Sequence, residues 1–479
     1  MRGQCRPLLV LFLLATVLSV GQNKPLLYDF LEVPQALMLN PGMQTDYKWY
    51  AGLPLLSGIS GHAGSNGVAL NDIFANDGVD FNLKFRERML NALDPNDAFL
   101  GNAQLEWLSG GFRSADPNIF YSFGAYLEMD HIAYWPQDLA SFFVDGNAGQ
   151  VGRRYDLGHL KARGTVMNVM HFGINKKMGR KLTVGARGKF YAGILDLNAT
   201  RNRGFFVNVP GQNNTLATTI SADMNLRTSG LNDIRAAEDG PGLASTMIRR
   251  TFFGGDLGLG LDLGFSHALG DRTVVTGSLL DLGFIYHRGD VERYSLKGAA
   301  TVEGIELDAI EDFIDLDRDF WQELVDEVEA KVPFQTKRTG YLTFRPTRLY
   351  GSIRHGFGQM VGSARQNCDC DIMGAAASGR LPKYRNSLGA QLFVINRPRG
   401  PQAALTGFYQ RRLGHVLSLK TTYTVDRFSY TNIGLGLSLQ AGPVHFYALA
   451  NNLLSYRNLA ASHYASFQLG LNIISWGGR

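Results

Sequence analysis

Residues 432–441 read Asn432-Ile433-Gly434-Leu435-Gly436-Leu437-Ser438-Leu439-Gln440-Ala441, one branched apolar side chain alternating with one small or polar one. Successive side chains of a strand point to opposite faces. The run therefore has a greasy face of Ile433, Leu435, Leu437 and Leu439 and an opposite face of Asn432, Gly434, Gly436, Ser438 and Gln440. The pattern recurs on both sides. Leu417, Leu419, Tyr423 and Val425 alternate with Ser418, Lys420, Thr422 and Thr424, and after Ala441-Gly442-Pro443 come Val444, Phe446, Ala448 and Ala450. The last run sets Phe467, Leu469, Leu471 and Ile473 against Ser466, Gln468, Gly470 and Asn472.

Such strands suit either a soluble sandwich or a transmembrane β-barrel whose greasy face meets lipid. Glycine decides between them. Leu257, Leu259, Leu261, Leu263 and Phe265 stand opposite Asp256, Gly258, Gly260, Asp262, Gly264 and Ser266. On the solvated side of a sandwich those glycines would only weaken the strand, whereas in a barrel they line a lumen or pack a plug. The expected fold class is an all-β transmembrane antiparallel barrel.

The composition agrees: 479 residues with 56 glycines, 3 cysteines and 45% apolar content spread in alternation. A net formal charge of +5 is small for this length, so a nucleic-acid partner is not expected. Arg2 and Arg6, the apolar run 7–20, and Ser19 and Gly21 ahead of Gln22 read as a signal peptide over 1–21, cleaved after Gly21. The apolar run is shorter than the roughly 20 residues of a bilayer span. Cys5 precedes it, which does not fit lipoprotein acylation. The expected location is the outer membrane of a Gram-negative cell, with outer-membrane lipid and the barrel-assembly machinery as partners.

Residues 22–46 show no alternation and carry the turn Asn40-Pro41-Gly42, so they are expected to form a periplasmic or plug segment ahead of a barrel over 47–479. The first strand is expected at 48–63, followed by a short amphipathic helix near 85–93 that serves as plug element or connector. Further strands are expected at 102–113, 118–131, 159–176, 181–197, 256–267, 273–286, 294–305, 386–394 and 404–411. Residues 335–344 and 349–357 read as a hairpin turned at Arg345-Pro346-Thr347-Arg348. Glycine turns around Gly179, Gly270 and Gly414 mark a short-turn, periplasmic rim. Polar inserts at 198–250, 306–333 and 364–385 are assigned to the outer rim, with one strand pair inside the first.

Two inserts carry metal-type residues. Asp315, Asp317 and Asp319 alternate within an acidic amphipathic helix and could converge on calcium. However, Phe320 and Asp326 stand where a calcium loop needs glycine and a bidentate glutamate, so a solvated helix face is the better reading. Cys368 and Cys370, beside Asp369 and Asp371, lack a second Cys or His pair at zinc spacing and read as a loop staple or an incidental thiol pair. No cofactor is expected.

The run from Asn432 to Pro443, followed by Val444-His445-Phe446-Tyr447, Asn451-Asn452-Leu453-Leu454 and the ending Phe467 to Asn472, resembles a Bacteroidetes outer-membrane barrel family known only as a domain of unknown function. That family is similar to the PorP/SprF proteins and to FadL-like barrels. Leu39-Asn40-Pro41, the segment 280–285 and Gly304-Ile305-Glu306-Leu307 share the resemblance, although Gly42 stands where Ala is more usual. It implies a FadL-like barrel of about fourteen strands.

Three functions compete. The first is passage of a small solute, a hydrophobic one among the candidates, with Arg187, Lys189, Asp262 and Arg411 lining the path. The plainer role for each of these residues is an inward salt-bridge network. The second is a scaffold for a surface or periplasmic protein, associated with type IX secretion or gliding as the PorP/SprF resemblance implies. An enzyme comes last, because no Gly-x-Ser-x-Gly elbow or His-Glu-x-x-His helix is present. Phe467, Leu469, Leu471 and Ile473 form the expected insertion signal, on a strand that must pair with the first one to close the barrel.

Overall fold

The computed structural model describes residues 24–146, 149–211, 216–237, 242–303, 334–360, 383–426 and 430–476. The leader 1–21, the acidic insert with Asp315, Asp317 and Asp319, and the pair Cys368 and Cys370 lie outside them.

Along the chain, β1 (Tyr47–Gly52) and β2 (Ile59–Ser65) are two halves of one interrupted wall strand, followed by β3 (Ala98–Arg113) and β4 (Ile119–Tyr134). β5 (Arg154–Asp156) stands outside the wall, which continues in β6 (Ala162–Met178) and β7 (Leu182–Ala199). β8 (Arg203–Pro210) and β9 (Leu216–Ser229) leave it, and β10 (Asp256–Ala268) and β11 (Thr273–His287) return. β12 (Val291–Glu303) and β13 (Phe334–Lys337) leave again; β14 (Tyr341–Phe344) and β15 (Arg348–Met360) are the halves of a second interrupted wall strand. The rest of the wall is β16 (Tyr384–Arg397), β17 (Gly400–Leu413), β18 (Leu417–Val425), β19 (Asn432–Ala441), β20 (Val444–Asn451) and β21 (Tyr464–Trp476).

Counting each interrupted strand once, fourteen antiparallel strands form a closed transmembrane barrel. Closure is made by β21, which pairs with β20 on one side and with β1 and β2 on the other, for example Tyr50↔Ile474 and Gly61↔Phe467. A closed wall leaves no unpaired edge in lipid. The alternating pattern is realised as expected on β10, where Leu259, Leu261, Leu263 and Phe265 are exposed outward while Asp256, Asp262 and Ser266 are buried inward. No helix among the described residues is long and apolar enough to cross a membrane.

One rim carries the tight turns after β3, β6, β10, β17 and β19. The opposite rim carries most of the long connections. There β9 pairs with the end of β7 (Asp196↔Ser229) and extends the sheet beyond the wall through β8 and β5 on one side and β12 and β13 on the other. Phe142, Tyr155, Leu157 and Phe206 form the small core of this annex.

Several expectations need correction. The first strand is broken at 53–58, where Leu55 takes a positive φ of 64° and Ser57 turns inward. The strand expected near 294–305 is present as β12, and it belongs to the annex instead of the wall. Residues 335–357 are not a hairpin: β14 and β15 both run antiparallel to β11, Phe284↔Phe344 and Leu280↔Arg348, so the chain steps at 345–347 and continues in one direction. The insert at 364–385 does not spring from the outer rim, because its flanks pair at Met360↔Tyr384 on the short-turn side. The helix expected near 85–93 is present, as the contiguous helical segments Phe81–Lys84 and Phe85–Leu90, and it is a connector between β2 and β3 and not part of the plug. Within that connection the Lys84 ammonium, joined by the backbone N–H of Val79, holds the Asp77 carboxyl below its ordinary range.

Deleting 467–479 removes most of β21 and the outward residues Phe467, Leu469, Leu471 and Ile473. The expected outcome is loss of the heat-modifiable band from the outer-membrane fraction, and normal heat-modifiable migration of the truncated chain would refute this.

Candidate functional site

The lumen is filled by residues 24–46, which enter at the short-turn rim just before β1 and run inward to Lys24. Leu26, Leu27, Tyr28, Phe30, Val33, Ala36, Leu37 and Leu39 are all buried, in one cluster with the wall residues Tyr350, Phe393, Tyr447 and Leu449. Tyr28 stacks on Tyr350 at 4.8 Å between ring centroids, and Tyr350 lies 4.7 Å from Phe393. The inward glycines of β19 make room for this segment: a Cβ at Gly434 would stand 3.2 Å from Leu26, and one at Gly436 would stand 3.3 Å from Phe30. The small face of 432–441 therefore packs against protein and does not line an open channel.

The closest approach is at Asn40-Pro41-Gly42. A Cβ on Gly42 would fall 2.3 Å from the Gly264 oxygen, and one on Gly185 would fall 2.0 Å from the Pro41 oxygen, so neither backbone can carry a side chain there. The Asn40 amide folds back to accept from the Gly42 N–H at 2.9 Å and donates to the Phe265 carbonyl at 3.1 Å. Asn175 donates to the Pro41 and Met43 carbonyls at 2.7 and 2.8 Å, which leaves few buried carbonyls of the turn without partners.

Polar side chains hold the remainder of the segment. Asp29 pairs with Arg354 at 2.9 Å and accepts from Ser352 at 3.1 Å. Glu32 pairs with Arg412 and accepts from Gln410 at 2.7 Å. Gln35 donates to Asn472 at 2.8 Å and to Glu106 at 3.3 Å, and Ser57 from the break in the first strand donates to the same Glu106 oxygen at 3.1 Å. Lys24 donates to Gln104 at 2.6 Å.

Beside this plug, midway along the wall, lies a buried charge network. Asp262 faces Arg187 at 3.0 Å and Lys189 at 2.9 Å, and Lys189 reaches Asp281 at 2.7 Å. Arg348 donates to Asp281 at 2.8 Å, and Arg345 donates to Glu128 at 2.7 Å. Arg187 also donates to the Leu37 and Met38 carbonyls at 2.9 and 2.8 Å, tying the network to the plug. Two backbone irregularities create it. The register of β10 with β11 slips between Leu261 and Leu263, and Asp281 adopts a positive φ of 59°, which turns Leu280 and Asp281 inward in succession. The step between β14 and β15 aims Arg345 and Arg348 at these acids.

Of the residues expected to line a path, Arg187, Lys189 and Asp262 meet in this network. Arg411 does not: it is exposed on the outer face of β17, and its neighbours Gln410 and Arg412 point inward. A one-residue error in phase at the end of a strand reverses the face. Sequence reading missed Asp281, Glu128, Arg345, Arg348, Arg354 and Glu32. The adjacent pair Leu279-Leu280 ahead of Asp281, which breaks strict alternation, was the available signal.

One hydrogen-bonded series has the order of a catalytic relay: Thr343 to His287 at 2.7 Å and His287 to Asp256 at 2.6 Å. It is sealed, with the three residues 5%, 1% and 0% exposed, and neither described cavity is lined by any of them. A nucleophile needs a substrate within reach. The series instead belongs to the seam between wall and annex, where Asp256 also accepts from Ser229 at 2.6 Å. Among the described residues no group of three or more His, Cys, Asp or Glu side chains could hold a metal ion.

A family model matches residues 41–451, most of the chain and all of its wall strands except β21. The chain belongs to the family of unknown function DUF5723. No curated protein matches it. Among solved structures, the chain is similar to the Ralstonia pickettii toluene transporter TbuX, with 10% identity over 92% of this chain and 93% of that one and a TM-score of 0.37. It is also similar to the P. putida toluene transporter TodX, at 11% identity over 95% and 94% with a TM-score of 0.33. A Pseudomonas aeruginosa FadL homologue matches at 8% identity over 93% and 94%, with a TM-score of 0.38. None of these structures shares enough with this DUF5723 member to carry its substrate over.

Asn accepts the left-handed conformation of position 281, so Asp281→Asn removes a charge without straining the backbone. The substitution leaves Lys189 and Arg348 short of a counter-charge in a buried site and is expected to lower unfolding stability by on the order of 3 kcal/mol. Denaturant titration of the reconstituted barrel reads this out, and an unchanged midpoint would show that the network is not needed for stability.

Proposed function

We propose that this protein is an outer-membrane passage barrel that its own N-terminal segment closes, and that a small solute crosses when the segment moves aside. The observation that carries the proposal is the way the plug is held. Each of its three carboxylates, Asp29, Glu32 and Asp46, sits on a wall cation, and many of its carbonyls accept from wall side chains. Water can replace such contacts when the plug leaves, because a polar group that is rehydrated loses little net free energy. A barrel built only for rigidity would be filled more stably by apolar side chains.

An emptied lumen would have two characters. The Tyr350 and Phe393 rings, bared once Tyr28 leaves, form an apolar strip fit for a hydrophobic solute. The network of Arg187, Lys189, Asp262 and Asp281 forms a charged band beside it, on the neighbouring strands β7, β10 and β11. Outer-membrane lipid surrounds the apolar wall, and the barrel-assembly machinery inserts the chain by way of β21.

The test is solute uptake by liposomes holding either the full chain or a variant lacking 24–40, over a panel that includes aromatic hydrocarbons and small polar solutes. The variant is expected to admit at least one class of solute much faster than the full chain while keeping its heat-modifiable barrel. A folded variant that stays as tight as the full chain across the panel would count decisively against a passage role.

A further inference from the structure

A cavity of about 450 Å³ opens at the short-turn rim between the plug and the wall. Its cationic lining is Arg113, Lys177, Arg272, Arg354, Lys383 and Arg412, against the carboxylates of Asp46 and Asp271. Three of these cations pair with the plug's carboxylates: Arg354 with Asp29, Arg412 with Glu32 and Lys383 with Asp46. Asp29, Glu32 and Asp46 are also all of the carboxylates in residues 24–46. Even with Asp29 and Glu32 counted beside Asp46 and Asp271, six cations face four carboxylates around this cavity among the described residues. Concave walls of low dielectric concentrate such an excess.

Arg272 stands on the exposed turn between β10 and β11, with its guanidinium 5.5 Å from the Tyr384 ring, and no carboxylate partners it among the described residues. A planar guanidinium held at the mouth of a cationic cavity is suited to bidentate binding of an oxyanion.

We propose that this cavity binds a multivalent oxyanion from the short-turn side, and that the bound anion competes with the plug carboxylates for Arg354, Arg412 and Lys383. A ligand that binds better when the plug is loosened must, by linkage, loosen the plug. The cavity is then the site from which passage is regulated, whichever solute passes.

Inorganic pyrophosphate is the probe, added to the full-length protein in detergent, with sodium chloride at equal ionic strength as the control. Calorimetry is expected to show saturable pyrophosphate binding, weakened about tenfold in Arg272→Ala, the scale of one charge-assisted hydrogen bond. Arg272→Lys, which keeps the charge but loses the planar fork, should bind with an affinity between those of the wild type and Arg272→Ala. Hydrogen exchange of peptides covering 24–46 should speed up with pyrophosphate in the wild type and match the unliganded wild type in unliganded Arg272→Ala. Absence of saturable binding, equal binding by Arg272→Ala, or plug exchange indifferent to saturating pyrophosphate would each overturn the proposal. Liposome uptake through the plug-deleted barrel uses no anion, so failure here leaves the passage reading separately testable.

Discussion

Inside lipid a backbone N–H or C=O has no water to turn to, so a wall of strands is stable only when it closes on itself. In this protein closure falls to β21, whose two neighbours come from opposite ends of the chain: β20 just before it, and the interrupted strand β1 and β2 near the start. The N-terminal partner begins at Tyr47, directly after the plug. Closing the wall therefore fixes where the plug enters, at the short-turn rim beside Trp476, and leaves the lumen as its only apolar refuge.

A filled lumen changes what the inward face must provide. Facing water, it would need only polar side chains. Facing a plug, it needs room, apolar patches and charge partners at set heights. The glycines at 185, 264, 434 and 436 give room, Tyr350, Phe393 and Leu449 give the patches, and Arg354, Arg412 and Lys383 meet the plug's acids. The wall's own acids Asp262 and Asp281 are matched separately by Lys189, Arg187 and Arg348, so the buried charge has nearby partners.

The barrel was legible because its strongest signal, alternation of large apolar with small residues, is local and repeats in every strand. The site was legible only in part. Arg187 and Lys189 lie on a stretch where a count of two keeps its phase, and Asp262, although it sits at the slip, keeps its phase because the extra residue is on β11. Asp281 does not, because the bulge beside it adds one residue and brings two consecutive side chains inward. Arg345 and Arg348 looked like turn residues, since Pro346 between them ends a strand in any local reading. Only pairing with β11 shows that the strand resumes in the same direction. Arg411 failed for the opposite reason. It is one of two successive arginines, and composition alone does not say which of Arg411 and Arg412 faces in. Glu32 and Asp29 were invisible as site residues because a segment without periodicity carries no face to assign.

The seam between plug and wall is uneven, and the unevenness has a direction. At Asn40-Pro41-Gly42 two backbones touch with no space for a methyl group, and the turn's own hydrogen bonds lock its shape. Farther along, from Lys24 to Gln35, the polar contacts with the wall are made by side chains, each replaceable by water, and they are set among the apolar packing of Leu26, Leu27, Tyr28, Phe30 and Val33. Below the turn, toward the rim, the seam widens into the cationic cavity. Loosening the ion pairs of Asp29 and Glu32 acts on the part of the plug beyond the locked turn, so the turn is placed to stay seated while the segment ahead of it detaches. Motion of that kind needs no break in the wall, because none of the plug's contacts belongs to the ladder that closes the barrel.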